Sequence, residues 1–224
     1  MMKLTILIPM LNEELTIRET VLMALNYLDK SKIKGEVLVI DNDSKDNSVN
    51  AIKDLNVRVV KEDKIGYGNA LRRGIKEAKG KYIIMGDADT TYDFTNLDDF
   101  VNKLDQGYDL VMGNRFKGKR EKGAMSLLHY IGIKFLTIIA NIKFKTKLGD
   151  YHCGLRGFNT LKAKQMNFET TGMDFATEII YQFKNNGFKI TEIKTDLRRG
   201  NKKRKNHLRT FEDGFRHLNY IIKR

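Results

Sequence analysis

A chain of 224 residues is long enough to bury a hydrophobic core, and it fits one domain or one domain with a short appendage. With 41% hydrophobic and 31% charged residues, the composition argues against a disordered chain. The single cysteine, Cys153, excludes an internal disulfide framework and suits a reducing compartment. Lys and Arg number 41 against 28 Asp and Glu, a net charge of +13. This excess favours an anionic partner, whether nucleic acid, an acidic membrane face or phosphorylated small molecules.

The first half of the chain alternates short apolar runs with helical patterns. Its first run is too short for a signal peptide and lacks a small-residue cleavage site, so it is predicted to be a buried strand. The predicted strands span residues 4–8, 36–40, 57–60 and 82–85, and the predicted helices span 14–28, 44–55 and 68–78. This alternation predicts an α/β fold with a Rossmann-like, mostly parallel central sheet flanked by helices. Ligands of such sheets lie at the carboxyl ends of the strands.

The second half of the chain has a different, more basic pattern. Its predicted segments are a strand at 110–112, a basic loop at 117–122, an apolar stretch at 125–144, a turn at 149–154, a helix around 175–185, a strand near 189–193 and a basic run at 198–209. No repeat or low-complexity linker divides the chain, and it has one proline. We therefore expect a single domain over residues 1–224.

Asp87 and Asp89 directly follow the apolar run at 82–85. Carboxylates two residues apart in an extended turn can point to one side, where they form the oxygen-rich site that Mg²⁺ or Mn²⁺ prefers. Two such carboxylates repel each other unless a cation lies between them. The alternative is a polar turn in which one aspartate caps the next helix. The position at the carboxyl edge of the predicted sheet favours the metal site.

Polar residues also follow the first two predicted strands. Asp41 ends the second strand, where its carboxylate is placed to accept hydrogen bonds from a nucleobase N–H. Asp43 or Ser44 is predicted to cap the helix that follows. After the first strand, Asn12 is predicted to cap the next helix, whereas Glu13 is predicted to reach a base or a ribose.

The apolar stretch at 125–144 raises the question of a membrane. It contains Lys134 and is closed by Lys143 and Lys145, and because a central lysine is costly in a bilayer, the stretch is not expected to span one. The alternatives are an ordinary core helix and an amphipathic segment in the membrane interface. A basic flank favours the interface, since anionic lipid attracts each such side chain by roughly 1 kcal/mol. The flank comprises Lys117, Lys119, Arg120 and Lys122.

Taken together, the motifs resemble the family-2 glycosyltransferases of GT-A fold, and within them the polyprenyl-phosphate (dolichyl-phosphate) sugar synthases. The matching stretches are IPMLNEE, VLVIDNDSKDNS, GYGNALRRGIKEAKGKYIIMGDAD, YDLVMGNRF, GDYHCGLRGF and HLRTFEDGFRHL. They keep their order and cover nearly the whole chain. The resemblance implies a nucleotide-sugar-binding half at about residues 1–115 and an acceptor-side, membrane-facing half at about residues 116–224.

The resemblance also implies a set of donor-binding residues. Pro9, Glu13 and Asp41 would line the base and ribose, and Asp87 and Asp89 would hold the metal and the diphosphate. Thr91 lies where relatives supply a third metal contact, and Arg115 lies near the phosphates. The full set implied for the nucleotide sugar is Pro9, Asn12, Glu13, Asp41, Asp87, Ala88, Asp89 and Arg115.

On the acceptor side, the resemblance places Asp150 and Arg156 in the acceptor motif. For His152 we expect a packing or acceptor-loop role, because it and Cys153, as neighbours in sequence, point apart and do not suit nucleophilic catalysis. The basic run around Arg199 is similar to a mobile loop that grips phosphate, and Arg198 is expected to act with it at the acceptor. Arg115, Asp150 and Arg199 are the residues expected to take part in catalysis. The chain departs from the family pattern at Leu11 and in the turn at 41–44, which leaves the nucleobase open.

The predicted activity is an inverting, metal-dependent transfer of a sugar from a UDP- or GDP-linked donor to a polyprenyl or dolichyl phosphate. It would take place at an anionic membrane surface, with the enzyme cytoplasmic and peripherally bound to the cytoplasmic face. A membrane-protein partner, in place of the transmembrane helices of some relatives, is a further expectation. The alternatives are a soluble family-2 enzyme that glycosylates a hydroxyl, with Asp150 as the base, and a non-catalytic nucleotide-binding or membrane-associating protein. Nucleic acid is not an expected partner, because the aromatic residues form no stacking motif with the basic ones.

Overall fold

The computed structural model describes residues 1–201 and 210–224, with the side chain of Thr210 left out. The described residues form one seven-stranded sheet with the strand order β3-β2-β1-β4-β6-β5-β7. Six strands run in the same direction, and β6 is antiparallel to both β4 and β5. The strands are β1 (Leu4–Met10), β2 (Gly35–Asp41), β3 (Arg58–Lys61), β4 (Tyr82–Met85), β5 (Leu110–Asn114), β6 (Arg156–Asn159) and β7 (Ile190–Lys194).

Helices cover both faces of the sheet. They are α1 (Ile17–Ser31), α2 (Tyr67–Glu77), α3 (Asp98–Asp105), α4 (Leu127–Phe144), α5 (Thr160–Lys164), α6 (Phe175–Asn185) and α7 (Thr210–Lys223). Successive strand residues point to opposite faces, so each strand supplies two cores. In β1, Ile6 and Ile8 pack with α1 and α3, whereas Leu7 packs with α2, α4, α6 and α7. This mostly parallel sheet flanked by helices confirms the predicted fold class.

The predicted helix at 44–55 is wrong. The segment forms bends and one 3-10 turn, Asn50–Ile52, because its polar groups bond to the loop after β1 instead of to a helix ladder. Asn12 Oδ1 accepts from the Lys45 N–H at 2.7 Å, and the Glu13 N–H donates to Ser48 Oγ at 2.7 Å. For the same reason, neither Asp43 nor Ser44 caps a helix. Asn12 does not cap α1, which begins at Ile17 without a side-chain cap.

Helix α4 occupies most of the apolar stretch and has two different sides. One side is buried, with Ile133, Leu136, Ala140 and Phe144 in the core. The other side exposes six large apolar side chains, each more than half exposed: Leu127, Leu128, Ile131, Phe135, Ile138 and Ile142. Among the described residues, α4 is the one helix long and apolar enough to cross a membrane. Its buried side shows that it also packs as part of the protein.

Helix α7 packs beside α4 and also exposes large apolar side chains. Phe211, Phe215 and Ile222 are each more than half exposed, while Tyr220 and Ile221 are buried in the core. We call these three side chains and the six of α4 the apolar face. Two neighbouring helices thus present nine large apolar side chains to solvent.

Candidate functional site

A cleft of about 990 Å³ lies at the carboxyl edge of β1, β2, β4 and β5. This is the edge at which ligands of parallel sheets bind. The cleft brings together most of the predicted site residues, although they are far apart in sequence. Those that line it are Pro9, Glu13, Asp87, Ala88, Asp89, Thr91, Arg115, His152 and Arg199. Within the described part of the chain, the lining omits Asn12, Asp41, Asp150, Arg156 and Arg198.

The Asp87-Ala88-Asp89 triplet is held in place from three directions. The Tyr67 hydroxyl donates to Asp87 Oδ1 at 3.1 Å. The Thr91 N–H and hydroxyl both donate to Asp89 Oδ1, at 3.1 and 2.5 Å. Thr20 of α1 donates its hydroxyl to the Ala88 carbonyl at 3.1 Å. Thr91 therefore orients Asp89, and its predicted contact with a metal stays a prediction.

Gly154 determines how closely the chain approaches the first aspartate. A Cβ atom added at Gly154 would lie 2.1 Å from Asp87 Oδ2, so any other residue there would displace the Asp87 carboxylate. The described residues contain no cluster of three His, Cys, Asp or Glu side chains suited to a metal. Two carboxylates facing an open cleft nevertheless fit Mg²⁺ or Mn²⁺, which take few protein ligands and complete their shell with water and substrate phosphates.

The residues at the ends of β1 and β2 are well ordered by hydrogen bonds. Glu13 is buried, and the Thr16 hydroxyl donates to its Oε2 at 3.0 Å. Asp41 is also buried and accepts the Ser44 N–H at 3.1 Å. Its neighbour Asn42 lines the cleft instead and anchors the next loop through the Gly66 N–H at 2.7 Å. The predicted contacts of Glu13 and Asp41 with a nucleoside stay predictions.

Arg115 and Asp150 form a buried, bidentate ion pair. Arg115 Nε and Nη2 donate to the two oxygens of Asp150 at 2.7 and 2.8 Å, and the Arg115 and His152 N–H groups add bonds at 3.2 and 3.0 Å. Burial acts to raise the pKa of Asp150, but the charge and hydrogen bonds of Arg115 outweigh it and lower the pKa. Arg115 lines the cleft, whereas Asp150 lies behind it with 0% of its side chain exposed.

Two of the predicted acceptor residues have other contacts. Arg156 is fully buried, and its guanidinium donates to the carbonyls of Cys153 and Ala176. Arg198 donates to Asp93 Oδ2 at 2.5 Å, on the outside of the cleft. Their predicted contact with an acceptor stays a prediction. The rest of the predicted phosphate-gripping run, residues 202–209, lies outside the described residues.

Three histidines that are scattered in sequence line the cleft. His129, His152 and His217 all line it, and the rings of His152 and His217 meet edge to face with centroids 4.4 Å apart. Thr177 Oγ1 lies 2.8 Å from His217 Nδ1. Within residues 1–201 and 210–224, neither buried ring nitrogen of His152 has a hydrogen-bond partner. The lining residues that sequence reasoning missed are chiefly Tyr67, Tyr92, His129, Arg216 and His217.

Burial keeps the histidine pair uncharged. It holds the pKa of His152 well below the ordinary value, with His217 and Arg115 adding to the effect. Burial, together with Arg156 and Arg216, lowers the pKa of His217 to about 3. The neighbouring Cys153 thiol is also buried, which raises its pKa to about 12, so it is protonated at neutral pH and is a poor nucleophile.

We expect the protein to lose stability as the pH falls below about 6.5. The unfolded chain protonates its histidines there, whereas folded His217, with a pKa of about 3, stays neutral. Between these values His217 alone should lower the free energy of unfolding by about 1.4 kcal/mol per pH unit. Urea denaturation at a series of pH values should give a flatter dependence for His217→Asn. Equal slopes in the two proteins would show that this histidine does not titrate on unfolding.

Comparison with known proteins finds glycosyltransferases among the similar sequences. The family model described as Glycosyl transferase family 2 matches residues 5–166. The chain is 33% identical over 222 residues to the low-salt glycan biosynthesis hexosyltransferase Agl6 of Haloferax volcanii, covering 98% of this chain and 53% of that protein. It is 26% identical over 212 residues to a dolichyl-phosphate beta-glucosyltransferase of Dictyostelium discoideum, covering 85% and 64%. The chain thus spans between half and two thirds of these relatives.

Solved structures share the fold. Glucosyl-3-phosphoglycerate synthase from Mycobacterium tuberculosis, crystallised with Mn²⁺, uridine diphosphate and phosphoglyceric acid, superposes with a TM-score of 0.74 at 18% identity, covering 98% of this chain and 76% of that chain. Mannosyl-3-phosphoglycerate synthase from Rubrobacter xylanophilus gives a TM-score of 0.75 at 15% identity, covering 99% and 73%. These likenesses confirm the predicted GT-A fold. Because the family model covers well over half of the chain, this protein belongs to glycosyl transferase family 2.

Proposed function

We propose that this enzyme transfers a sugar, with inversion, from a UDP- or GDP-linked donor to a polyprenyl or dolichyl phosphate at a membrane surface. One observation carries the proposal. The helices α4 and α7, which wall the acceptor side of the cleft, present the apolar face on their outer side. A cleft that holds a sugar donor and opens beside such a face suits an acceptor with an ionic head and an apolar tail.

Asp87 and Asp89 would hold Mg²⁺ or Mn²⁺ together with the donor diphosphate. When bound, the metal neutralises the charge that develops on the diphosphate leaving group. Pro9 and Glu13 line the same edge of the cleft and would contact the nucleoside, with Asn12 and Asp41 behind them. A solved structure of the same fold contains Mn²⁺ and UDP-glucose, which supports a nucleotide-sugar donor with a divalent metal.

Two arginines would act on the phosphates. Arg115 lines the cleft below the donor edge, and Asp150 positions its guanidinium through the bidentate pair. Arg199 lies at the rim, where its N–H donates to Glu121 at 2.7 Å and joins it to the basic loop before α4. A pair of cations at these positions would attract the phosphates. Closure of the segment that carries Arg199 over the bound phosphates would exclude water from them.

The state of Asp150 supports a phosphate acceptor over a hydroxyl. Its oxygens already accept four hydrogen bonds, its pKa is lowered, and it does not line the cleft within the described residues. A carboxylate in that state is poorly placed to take a proton from an acceptor hydroxyl. A phosphate monoester is already ionised near neutral pH and needs no such base. Asp150 as a general base remains the expectation for the hydroxyl alternative.

The membrane surface is the proposed second partner. The apolar face would enter the interface of the bilayer, and the basic loop beside it would meet anionic headgroups. Lys117, Lys119, Arg120 and Lys122 are all exposed in that loop. At roughly 1 kcal/mol each, four such residues add a substantial attraction that falls as salt rises. The Dictyostelium relative, whose name specifies dolichyl phosphate, supports this choice of acceptor.

A second candidate is transfer to a small soluble acceptor. It is favoured by the Mycobacterium tuberculosis structure of the same fold, which contains phosphoglyceric acid. That acceptor is itself anionic, so the cations and histidines of the cleft do not discriminate between the two candidates. The apolar face does discriminate between the two candidates, because it would have no function in transfer to a soluble acceptor.

The test is transfer of radiolabel from UDP- and GDP-sugars, with Mn²⁺ or Mg²⁺, to polyprenyl phosphate in vesicles containing anionic lipid. We expect label in the organic phase and co-sedimentation of the protein with the vesicles. A triple variant in which serine replaces Ile131, Phe135 and Ile138 should show weaker lipid labelling and weaker co-sedimentation. The matched control is Leu161→Ser, since Leu161 is equally exposed but lies on α5, away from the apolar face.

The outcomes separate the candidates. Label that stays in the aqueous phase, with phosphoglyceric acid or a glycan as acceptor, supports the soluble enzyme. A protein that remains in the supernatant at physiological salt refutes the membrane role of the apolar face.

A further inference from the structure

Gly132 lies on the border between the cleft and the apolar face. On a helix, its neighbours are the residues three and four positions away. Two of these, His129 and Leu136, line the cleft, and the other two, Leu128 and Phe135, belong to the apolar face. Gly132 itself lines the cleft. The point at which α4 separates the two surfaces is therefore occupied by a residue without a side chain.

Gly214 has the same position on α7. It lines the cleft, and so does His217 three residues later. Three residues before it, Phe211 belongs to the apolar face, as does the adjacent Phe215. The two neighbouring helices that wall the acceptor side of the cleft thus each have a glycine where the cleft meets the apolar face.

Backbone conformation and packing do not explain these two glycines. Neither has a positive φ, and a Cβ added at either would meet no atom of the described residues within 4 Å. By contrast, a Cβ at Gly74 of α2 would lie 2.3 Å from Leu7. Glycine inside a helix is unfavourable compared with alanine, so a position that tolerates a side chain has no structural reason to lack one. The open space at Gly132 and Gly214 is the feature that a side chain would remove.

We propose that Gly132 and Gly214 keep open a passage through which the prenyl chain of the acceptor leaves the cleft and reaches the membrane. This inference rests on the proposed function, because it assigns a route to the tail of that acceptor. The phosphate head lies among the cations of the cleft, near Arg115. The first part of the tail then passes Ile133 and Leu136, which line the cleft from α4. The two glycines make the opening wide enough for a branched hydrocarbon chain.

The experiment compares Gly132→Leu and Gly214→Leu with the wild type on two acceptors. One is a long polyprenyl phosphate in vesicles, and the other is a water-soluble prenyl phosphate of a single isoprene unit, whose tail ends inside the cleft. Leucine favours helix, so both helices should persist. Gly132→Ala adds only a methyl group, and Asn102→Leu adds the same side chain to an exposed position of α3, away from both the cleft lining and the apolar face.

We expect each leucine variant to lower kcat/KM for the long acceptor on the order of tenfold or more and to change it much less for the short one. Gly132→Ala should have a small effect and Asn102→Leu none. Equal losses on both acceptors would mean that leucine disturbs the cleft in general, and no loss on either would mean that the tail leaves elsewhere. Both results overturn the passage while the proposed function stands. A wild-type enzyme that labels neither acceptor refutes the proposed function, and the passage with it.

Discussion

Replacing Asp89 with alanine is expected to lower the rate of sugar transfer on the order of 10³-fold. Asp89 lines the cleft with its carboxylate oriented by Thr91, and Asp87 alone would leave one protein carboxylate for the metal and the diphosphate. Release of nucleoside diphosphate from the donor, followed with Mn²⁺ and again after a chelator, measures the effect. The wild type treated with chelator should fall to the level of the variant.

The control for this variant is Asp99→Ala. It also removes an aspartate shortly after β4, but Asp99 is exposed in the first turn of α3 and does not line the cleft. We expect it to keep nearly full activity. If Asp89→Ala remained fully active in the presence of a chelator, the metal–diphosphate role of the triplet would be wrong.

Replacing Asp150 with asparagine is expected to lower the free energy of unfolding by about 3 kcal/mol or more. The reason is the arginine left behind. Arg115 has only 7% of its side chain exposed, and Tyr92 and Asp150 outweigh the effect of burial so that its pKa lies well above the ordinary value. Because a guanidinium is not deprotonated in proteins, Arg115 would stay charged in a buried position without its partner. Urea denaturation of wild type and variant gives the difference directly.

A double variant shows whether the loss of stability comes from the unpaired charge or from a change in packing. Arg115→Met with Asp150→Leu removes both charges and keeps apolar volume, so it should be more stable than Asp150→Asn alone. The transfer activity of Asp150→Asn then distinguishes a hydroxyl acceptor from a phosphate acceptor. Per folded molecule, Asp150→Asn should nearly abolish transfer to a hydroxyl but spare more of the transfer to a lipid phosphate, which needs no base. An Asp150→Asn protein as stable as the wild type would show that the pair contributes little to the fold.

The donor edge was predictable because its signals are local. Each of β1, β2 and β4 is a compact apolar run, and the polar residues follow each run directly, so Asp87 and Asp89 could be placed at the sheet edge from the sequence. The segment 44–55 has a helical pattern as well, but Asn12 and Glu13 bind its polar groups from another loop. Hydrogen bonds to a loop that is distant in sequence cannot be predicted from the local pattern of residues.

The histidine cluster of the cleft was less predictable because its parts come from distant elements. His152 precedes β6, His217 lies on α7, and Thr177 lies on α6, and only the packing of these elements brings the three together. Strand β6 was also missed. Its four residues, including an arginine and a glycine, have no strand pattern, and they become a strand because β4 and β5 provide partners on both sides.

The reversed direction of β6 has a consequence for the route that the chain takes around the sheet. Arg156, the first residue of β6, pairs with Met85 and Met112 near the ends of β4 and β5, so the chain leaves the sheet after β5 and returns to it at the same edge. The intervening excursion, residues 115–155, contains α4 and the loop that carries Asp150 and His152. Because it starts and finishes at the edge where the cleft lies, this excursion supplies Arg115, His129 and His152 to the cleft without crossing the sheet.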